Sequence, residues 1–276
     1  MSDLGPGSIS ACLVVRNEEA LIERCLRSLE GVVDEIVLVH SGPCGDRTLA
    51  IAERFGCRVF TGPDGGHGEH NTPLAYSMAR GEWLLNVDAD EFLSAGLRAR
   101  LRELVSTPGV NGYAFIWPVW DGRRYLTRSG PYKLVLFRRS ATRMVGLIHA
   151  PEQVEGDLRE VPLVLEHQPA YDPYSLATVM TKWRRWARVQ AREYLGDLGS
   201  VPTFGHPRPL RWSRRRRLQN ALAPLLVLPA ALHTFGYVIR TERRHLHGVQ
   251  LARYAAFAAL YRAMVTAYVV RLRWLP

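Results

Sequence analysis

Four apolar runs stand ahead of Asp88: ISACLVV (9–15), DEIVLVH (34–40), CRVF (57–60) and EWLLNV (82–87). Continuous apolar runs of this length suit strands covered on both faces, and parallel strands need long, usually helical, crossovers between them. The intervening segments supply those helices. Leu21, Ile22, Cys25, Leu26 and Leu29 recur at helical spacing in EEALIERCLRSLE, with Asn17 placed to cap it. DRTLAIAERFG closes on Gly56, with Asp46 at its start as a capping candidate, and NTPLAYSMARG closes on Gly81. The pattern predicts an α/β fold: a mostly parallel sheet flanked by helices, with right-handed crossovers.

Beyond residue 94 the pattern loosens. LRARLRELV reads as a helix; GYAFIWPVW, PYKLVLFRR and VPLVLEH (161–167) read as strands. A helix is predicted over 172–195. Its basic face (Lys182, Arg184, Arg185, Arg188) beside Trp183 and Trp186 suits either phosphate contact with stacking or a solvated surface with the two Trp packed inward. A proline-rich break at 201–209 separates a body, 1–200, from a C-terminal extension, 201–276.

The fourth apolar run ends in NVDADE, which delivers Asp88, Asp90 and Glu91 to a strand end. In open parallel sheets that edge is where ligands bind. Two carboxylates at i and i+2 repel each other unless a cation is near, and their hard oxygens suit Mg²⁺ or Mn²⁺. By spacing alone, a helix cap explains the acids equally well, and Glu91 is expected at the start of the next helix. The glycine-rich stretch TGPDGGHGEH matches neither G-x-G-x-x-G nor G-x-x-x-x-G-K-[ST], which argues against a dinucleotide fold and a P-loop NTPase.

Charge is segregated along the chain. From Arg208 onward there are 13 Arg and one acid, Glu242, whereas the preceding residues hold 23 basic and 25 acidic side chains. A near-neutral body with a cationic tail points to a polyanionic partner for the tail. The tail also holds two apolar stretches, 218–239 and 249–272. Pro224, Pro229 and His233 interrupt the first, and in the second Arg262 points away from the face shared by Arg253 and Arg271. Both suit helices lying in or dipping into an anionic membrane interface; packing on the body or a homo-oligomer interface are the plainer readings. The four cysteines show no CxxC spacing, and MSDLGPGSIS has neither a basic start nor an apolar run. Reduced thiols, no signal peptide and a cytoplasmic location are expected.

The motifs VVRNEE, VDEIVLVHSGPCGDRT and NTPLAYSMARGEWLLNVDADE, in this order, resemble the family 2 glycosyltransferases of GT-A fold. PYKLVLFRR, GLIHAPEQV and LEHQPAY look like later stations of the branch that builds lipopolysaccharide cores and cell-surface glycans. The resemblance covers roughly residues 8–195. It implies a metal-dependent, inverting transfer from a nucleotide-sugar donor, UDP- or GDP-linked, to a lipid-linked or cell-surface glycan, at the inner face of the cell membrane. Val15, Asn17 and Glu18 would line the nucleotide pocket, and Asn71 matches the family's Asn. Asp88 and Ala89 would face the donor, Asp90 would be the principal metal ligand with Asp88 assisting, and His149 and His167 would reach the diphosphate or the metal.

Three positions depart from the family pattern. His40 stands for an Asp in the donor pocket, His70 for an Arg, and Ala150 for a Glu. Glu152, two residues beyond Ala150, is the expected base. A nucleic-acid-binding protein would explain the tail but not acids that repel phosphate. A GT-A-like scaffold without catalysis would explain the three departures.

Overall fold

The computed structural model describes residues 4–172, 175–196, 200–206 and 211–275. The opening alternation is present as expected: β1 (Ile9–Val15), α1 (Ile22–Leu29), β2 (Glu35–Ser41), α2 (Thr48–Arg54), β3 (Arg58–Gly62), α3 (Thr72–Met78) and β4 (Trp83–Asn86). A short strand, β5 (Glu91–Leu93), and α4 (Ala95–Val105) follow. Then come β6 (Val110–Ile116), β7 (Tyr132–Arg138), β8 (Thr142–Val145), β9 (Gln153–Val154) and β10 (Asp157–His167). Eight strands form one sheet in the order β3-β2-β1-β4-β7-β6-β10-β5. β1, β2, β3 and β4 pair in parallel, as do β6 and β10, whereas β7 and β5 run antiparallel to their neighbours.

The pleat sorts each strand between two cores. Ile9, Ala11, Leu13 and Val15 of β1, Ile36 and Leu38 of β2, and Trp83 and Leu85 of β4 pack with Ile22, Leu26 and Leu29 of α1. Cys12, Val37, Val39 and Leu84 turn to the other face, against Ala75 and Tyr76 of α3 and Phe137 of β7. Both faces are therefore covered, which is why these strands read as unbroken apolar runs. Fully burying a Val, Leu, Ile or Phe side chain among these contributes about 1.5–3 kcal/mol. All four cysteines are free.

Two local expectations are corrected. Asn17 does not cap α1, which begins only at Ile22; its side chain accepts from the Gly45 amide (2.9 Å) instead. Glu91 does not open the following helix. It starts β5, and Ser94 caps α4 by accepting from the Leu97 amide (3.2 Å).

The described chain packs as two units: residues up to Val119 with Arg128–Ala170 and Pro202–His206, and Trp120–Thr127 with the described parts of Tyr171–Val201 and Pro207–Pro276. β11 (Thr203–Phe204) belongs to the first unit and pairs with β8. The second unit holds α5 (Leu176–Thr178), a π-helical turn (Val179–Trp183), α6 (Arg184–Leu195), α7 (Arg214–Ala221), α8 (Ala223–Glu242) and α9 (Gly248–Trp274). Residues 173–174 of the expected helix and 207–209 of the expected break lie outside the described residues. Ala191, Ala223 and Val269 tie α6, α8 and α9 together. The basic face of the 172–195 segment meets aromatic partners there: Trp183 packs edge-on to Phe257 and Tyr261, and Arg184 donates to the Tyr268 hydroxyl (3.1 Å). α8 and α9 are both long and apolar enough to cross a membrane.

Candidate active site

The chain runs from β1 to β2 and β3 on one side, then returns to place β4 on the other side of β1. That reversal is a topological switch point, and ligands in such sheets bind outside the strands' carboxyl ends there. Val15 and Asn17 leave β1 at this edge, and the Val87 amide donates to Cys12 O (3.2 Å) as β4 ends. The segment Asp88-Ala89-Asp90 therefore emerges beside the end of β1.

The rim on the β1–β2 side is built by backbone-directed side chains. Asn17 has a left-handed backbone (φ 54°), a conformation Asn tolerates better than most residues. It aims its amide at His40 Nε2 (3.2 Å), while His40 Nδ1 lies 2.8 Å from Gly42 O. This fixes the imidazole as the Nδ1–H tautomer, fully buried, with both nitrogens engaged. The Glu18 amide donates to Thr48 Oγ1 (2.7 Å). Asp46 accepts from the Thr48 and Glu19 amides (2.9 and 3.1 Å). Burial opposes ionisation of Asp46, but these hydrogen bonds prevail and hold its carboxyl down to about 2. Asn71 is buried and donates to Ser41 Oγ (2.8 Å) and Pro63 O (2.9 Å), joining the ends of β2 and β3. Gly62 is required beside it, because a Cβ there would overlap the Asn71 side-chain oxygen.

The acid cluster is held by a residue that the motif reading missed. Lys133, in β7, donates to Asp88 Oδ2 (3.0 Å) and to Glu91 Oε1 (2.6 Å). Burial disfavours its charge, yet Asp88 and Glu91 raise its affinity for the proton well above the ordinary lysine value. Glu91 is fully buried and fully engaged: Oε1 also accepts from Trp117 Nε1 (2.6 Å), and Oε2 accepts from the Asp88 amide (3.0 Å). Asp88 itself is 61% exposed and free to face a ligand. The sequence signal for Lys133 is its place near the head of a strand whose centre is apolar, because a lysine drawn into such a strand requires a carboxylate partner.

Asp90 and His167 form a second pair. The β5–β10 ladder sets His167 opposite Glu91, and this brings His167 Nε2 within 3.6 Å of Asp90 Oδ2. Trp117 stacks on the imidazole (4.1 Å between centroids). His167 Nδ1 is buried without a hydrogen-bond partner among the described residues. Burial opposes ionisation of Asp90, but His167 and Lys133 hold its carboxyl below the usual range. Ala89, between the two acids, is buried.

Glu152 reaches the same region from the loop after β8. Its Oε1 accepts from Tyr76 Oη (2.7 Å) and from Asn86 Nδ2 (2.9 Å) at the end of β4. Burial raises its affinity for the proton above the ordinary carboxylate value, against the lowering effect of the Tyr76 hydrogen bond, and both Lys133 and Asp88 act on it electrostatically. His149, also left-handed (φ 56°), donates its amide to Glu69 Oε1 (3.0 Å) and places its ring nitrogen 3.6 Å from the same atom. Glu69 is held down to about 2, burial opposing and the His67 hydrogen bond and His149 prevailing.

The structure thus gathers Asp88, Glu91 and Lys133, with Asp90 and His167 beside them and Glu152 anchored at the end of β4. Asn17, His40 and Asn71 serve the rim, and His149 pairs with Glu69.

Residues 10–150, about half of the chain, match Glycosyl transferase family 2. Over 113 residues the chain is 34% identical to an uncharacterized glycosyltransferase of Rickettsia bellii (strain RML369-C), covering 41% of this chain and 38% of that one. Over 103 residues it is 34% identical to the lipopolysaccharide core biosynthesis glycosyltransferase LpsC of Rhizobium meliloti (strain 1021), covering 36% of this chain and 37% of the relative. The chain therefore spans less than two-fifths of the length of these curated relatives. Among solved structures, S. aureus TarS 1-349 in complex with UDP-GlcNAc aligns at a TM-score of 0.47 and 13% identity, covering 96% of this chain and 91% of that one. The matched region runs from the first strand through the loop that carries His149, and the chain belongs to glycosyl transferase family 2.

Proposed function

We propose that the chain transfers a sugar, with inversion, from a UDP- or GDP-linked donor to a lipid-linked or cell-surface glycan at the cytoplasmic face of a membrane. The observation that carries this reading is the pairing, at one sheet edge, of the Asp88–Asp90 acids with Glu152, a half-buried carboxylate whose proton affinity is raised. Val15, Asn17 and Glu18 line the nucleotide side, and Asp88 and Ala89 face the donor.

Asp90 and His167 fit a divalent ion, Mn²⁺ or Mg²⁺. A carboxylate oxygen and an imidazole nitrogen face each other 3.6 Å apart. Among the described residues no three His, Cys, Asp or Glu side chains form a complete cage, so the ion would share its coordination with the donor. Such an ion supplies neutralisation of the charge that develops on the departing diphosphate. Glu152 takes the proton from the acceptor hydroxyl. The hydroxyl oxygen then bonds to the anomeric carbon as the carbon–oxygen bond to the diphosphate breaks. Lys133 pairs with Asp88 without closing it off from solvent. LpsC, named for lipopolysaccharide core biosynthesis, supports a lipid-linked acceptor.

A thermal-shift screen of nucleotide sugars with Mn²⁺ tests the reading, since a ligand bound only by the native state must raise its stability. One UDP- or GDP-sugar is expected to raise Tm, and Asp90→Ala is expected to abolish both that shift and transfer. Full transfer by the variant would sink the assignment.

A further inference from the structure

Arg262 lies on the face of α9 opposite Arg253 and Arg271, and the candidate active site does not use it. It lines a cavity of about 690 Å³ in the second unit, within the roughly 300–1,000 Å³ that takes small ligands. Arg215 and Arg216 of α7 contribute to the same wall, while Leu226 and Ala230 of α8 and Val265 of α9 make it apolar elsewhere. Burial first, then Arg262 and Arg215, lower the proton affinity of Arg216, while Tyr194, whose ring it covers at 3.9 Å, raises it. Among the described residues no carboxylate forms an ion pair with any of the three. Guanidinium groups without a carboxylate partner are matched by phosphate oxygens, to which they donate in a fixed planar fork.

The apolar side of the cavity narrows the choice. Ala223, Leu226, Pro229 and Ala230 of α8 and Val265 and Val269 of α9 line it with apolar surface beside the arginines. A free phosphate would satisfy the arginines and leave these surfaces in water. A nucleic acid wants an extended basic track, not an apolar hollow.

We infer that the second unit binds a lipid with a phosphate headgroup, the phosphate on Arg215, Arg216 and Arg262 and the chain along α8 and α9. The inference deepens the membrane-surface reading above and rests on it.

Flotation of the full chain with phosphatidylcholine vesicles, with and without phosphatidic acid, tests both. Arg216→Gln with Arg262→Gln is compared with Arg243→Gln plus Arg244→Gln, two exposed arginines outside the cavity that carry the same charge. The cavity pair is expected to lose about tenfold more partition onto phosphatidic acid vesicles than the control pair, beyond the general charge effect. Ala230→Phe, which narrows the hollow at constant charge, is expected to weaken partition in the same direction. Equal losses for the two arginine pairs would overturn the site and leave the membrane reading standing. Wild-type chain that floats with neither vesicle would overturn both. Displacement by inorganic phosphate at the headgroup concentration would show a phosphate site with no lipid selectivity, and would also overturn the inference.

Discussion

Burial makes a carboxylate costly to ionise, and Glu152 shows the consequence in a proton affinity raised despite the hydrogen bond it accepts from Tyr76. For a base this is an advantage, since proton transfer is most effective when the pKa approaches the working pH. The sign follows directly. Glu152 must be ionised to accept a proton, so kcat/KM is expected to rise with pH through a value above the ordinary Glu value of about 4.3. Glu152→Gln is expected to remove that limb and to lower turnover by about 10²–10⁴-fold, with donor binding retained. Steady-state kinetics across pH check this, and wild-type turnover in the variant would place the base elsewhere. Glu69 has the opposite sign. Its carboxyl is held down to about 2, so its stabilising contribution is complete above the ordinary value and is lost as pH falls toward 2. Glu69→Gln is expected to flatten the acid side of the Tm–pH curve.

At the scale of elements, the site depends on how strand ends are tied together. Asn71 joins β2 to the segment after β3 through Ser41 and Pro63, and Gly62 leaves room for it. Asn71→Ala leaves buried polar partners unsatisfied and is expected to cost about 1–3 kcal/mol in urea unfolding. An unchanged midpoint would show that the joint bears no stability. The strand–helix alternation up to β4 was legible because burial on both faces makes a strand apolar throughout, while a helix buries one stripe. The turn chemistry was less legible. Asn17 looked like a helix cap, but its left-handed backbone turns the side chain to Gly45, and α1 starts five residues later. Glu91 looked like the start of a helix because three acids within four residues suggest an N-terminus. Its side chain is instead drawn inside by Trp117 and Lys133, and the backbone follows as β5.

For the whole molecule, the cationic tail and the packing units meet in one question: what the second unit is for. Removing residues 207–276 keeps β11, with Thr203 and Phe204 paired to Val145 and Met144, but takes away α7, α8 and α9. It also uncovers Ala191 of α6, which packs with Ala223 and Val269. The shortened chain is expected to stay off anionic vesicles that the full chain binds, measured by flotation. Unchanged partition would leave the tail a structural element.

The linear sequence by itself determined the parallel strand–helix framework, the delivery of Asp88 and Asp90 to a strand end, and the separation of charge between body and tail. These follow from local periodicity and from composition, which neighbouring residues carry among themselves. Only the tertiary structure decided that Lys133, 45 residues from Asp88, neutralises the acids, that His167 faces Asp90, and that Glu152 is anchored by Asn86. Each of those pairings is made by a strand ladder or a returning loop. The energy of a buried charge is set by what such a fold places beside it, whatever its distance along the chain.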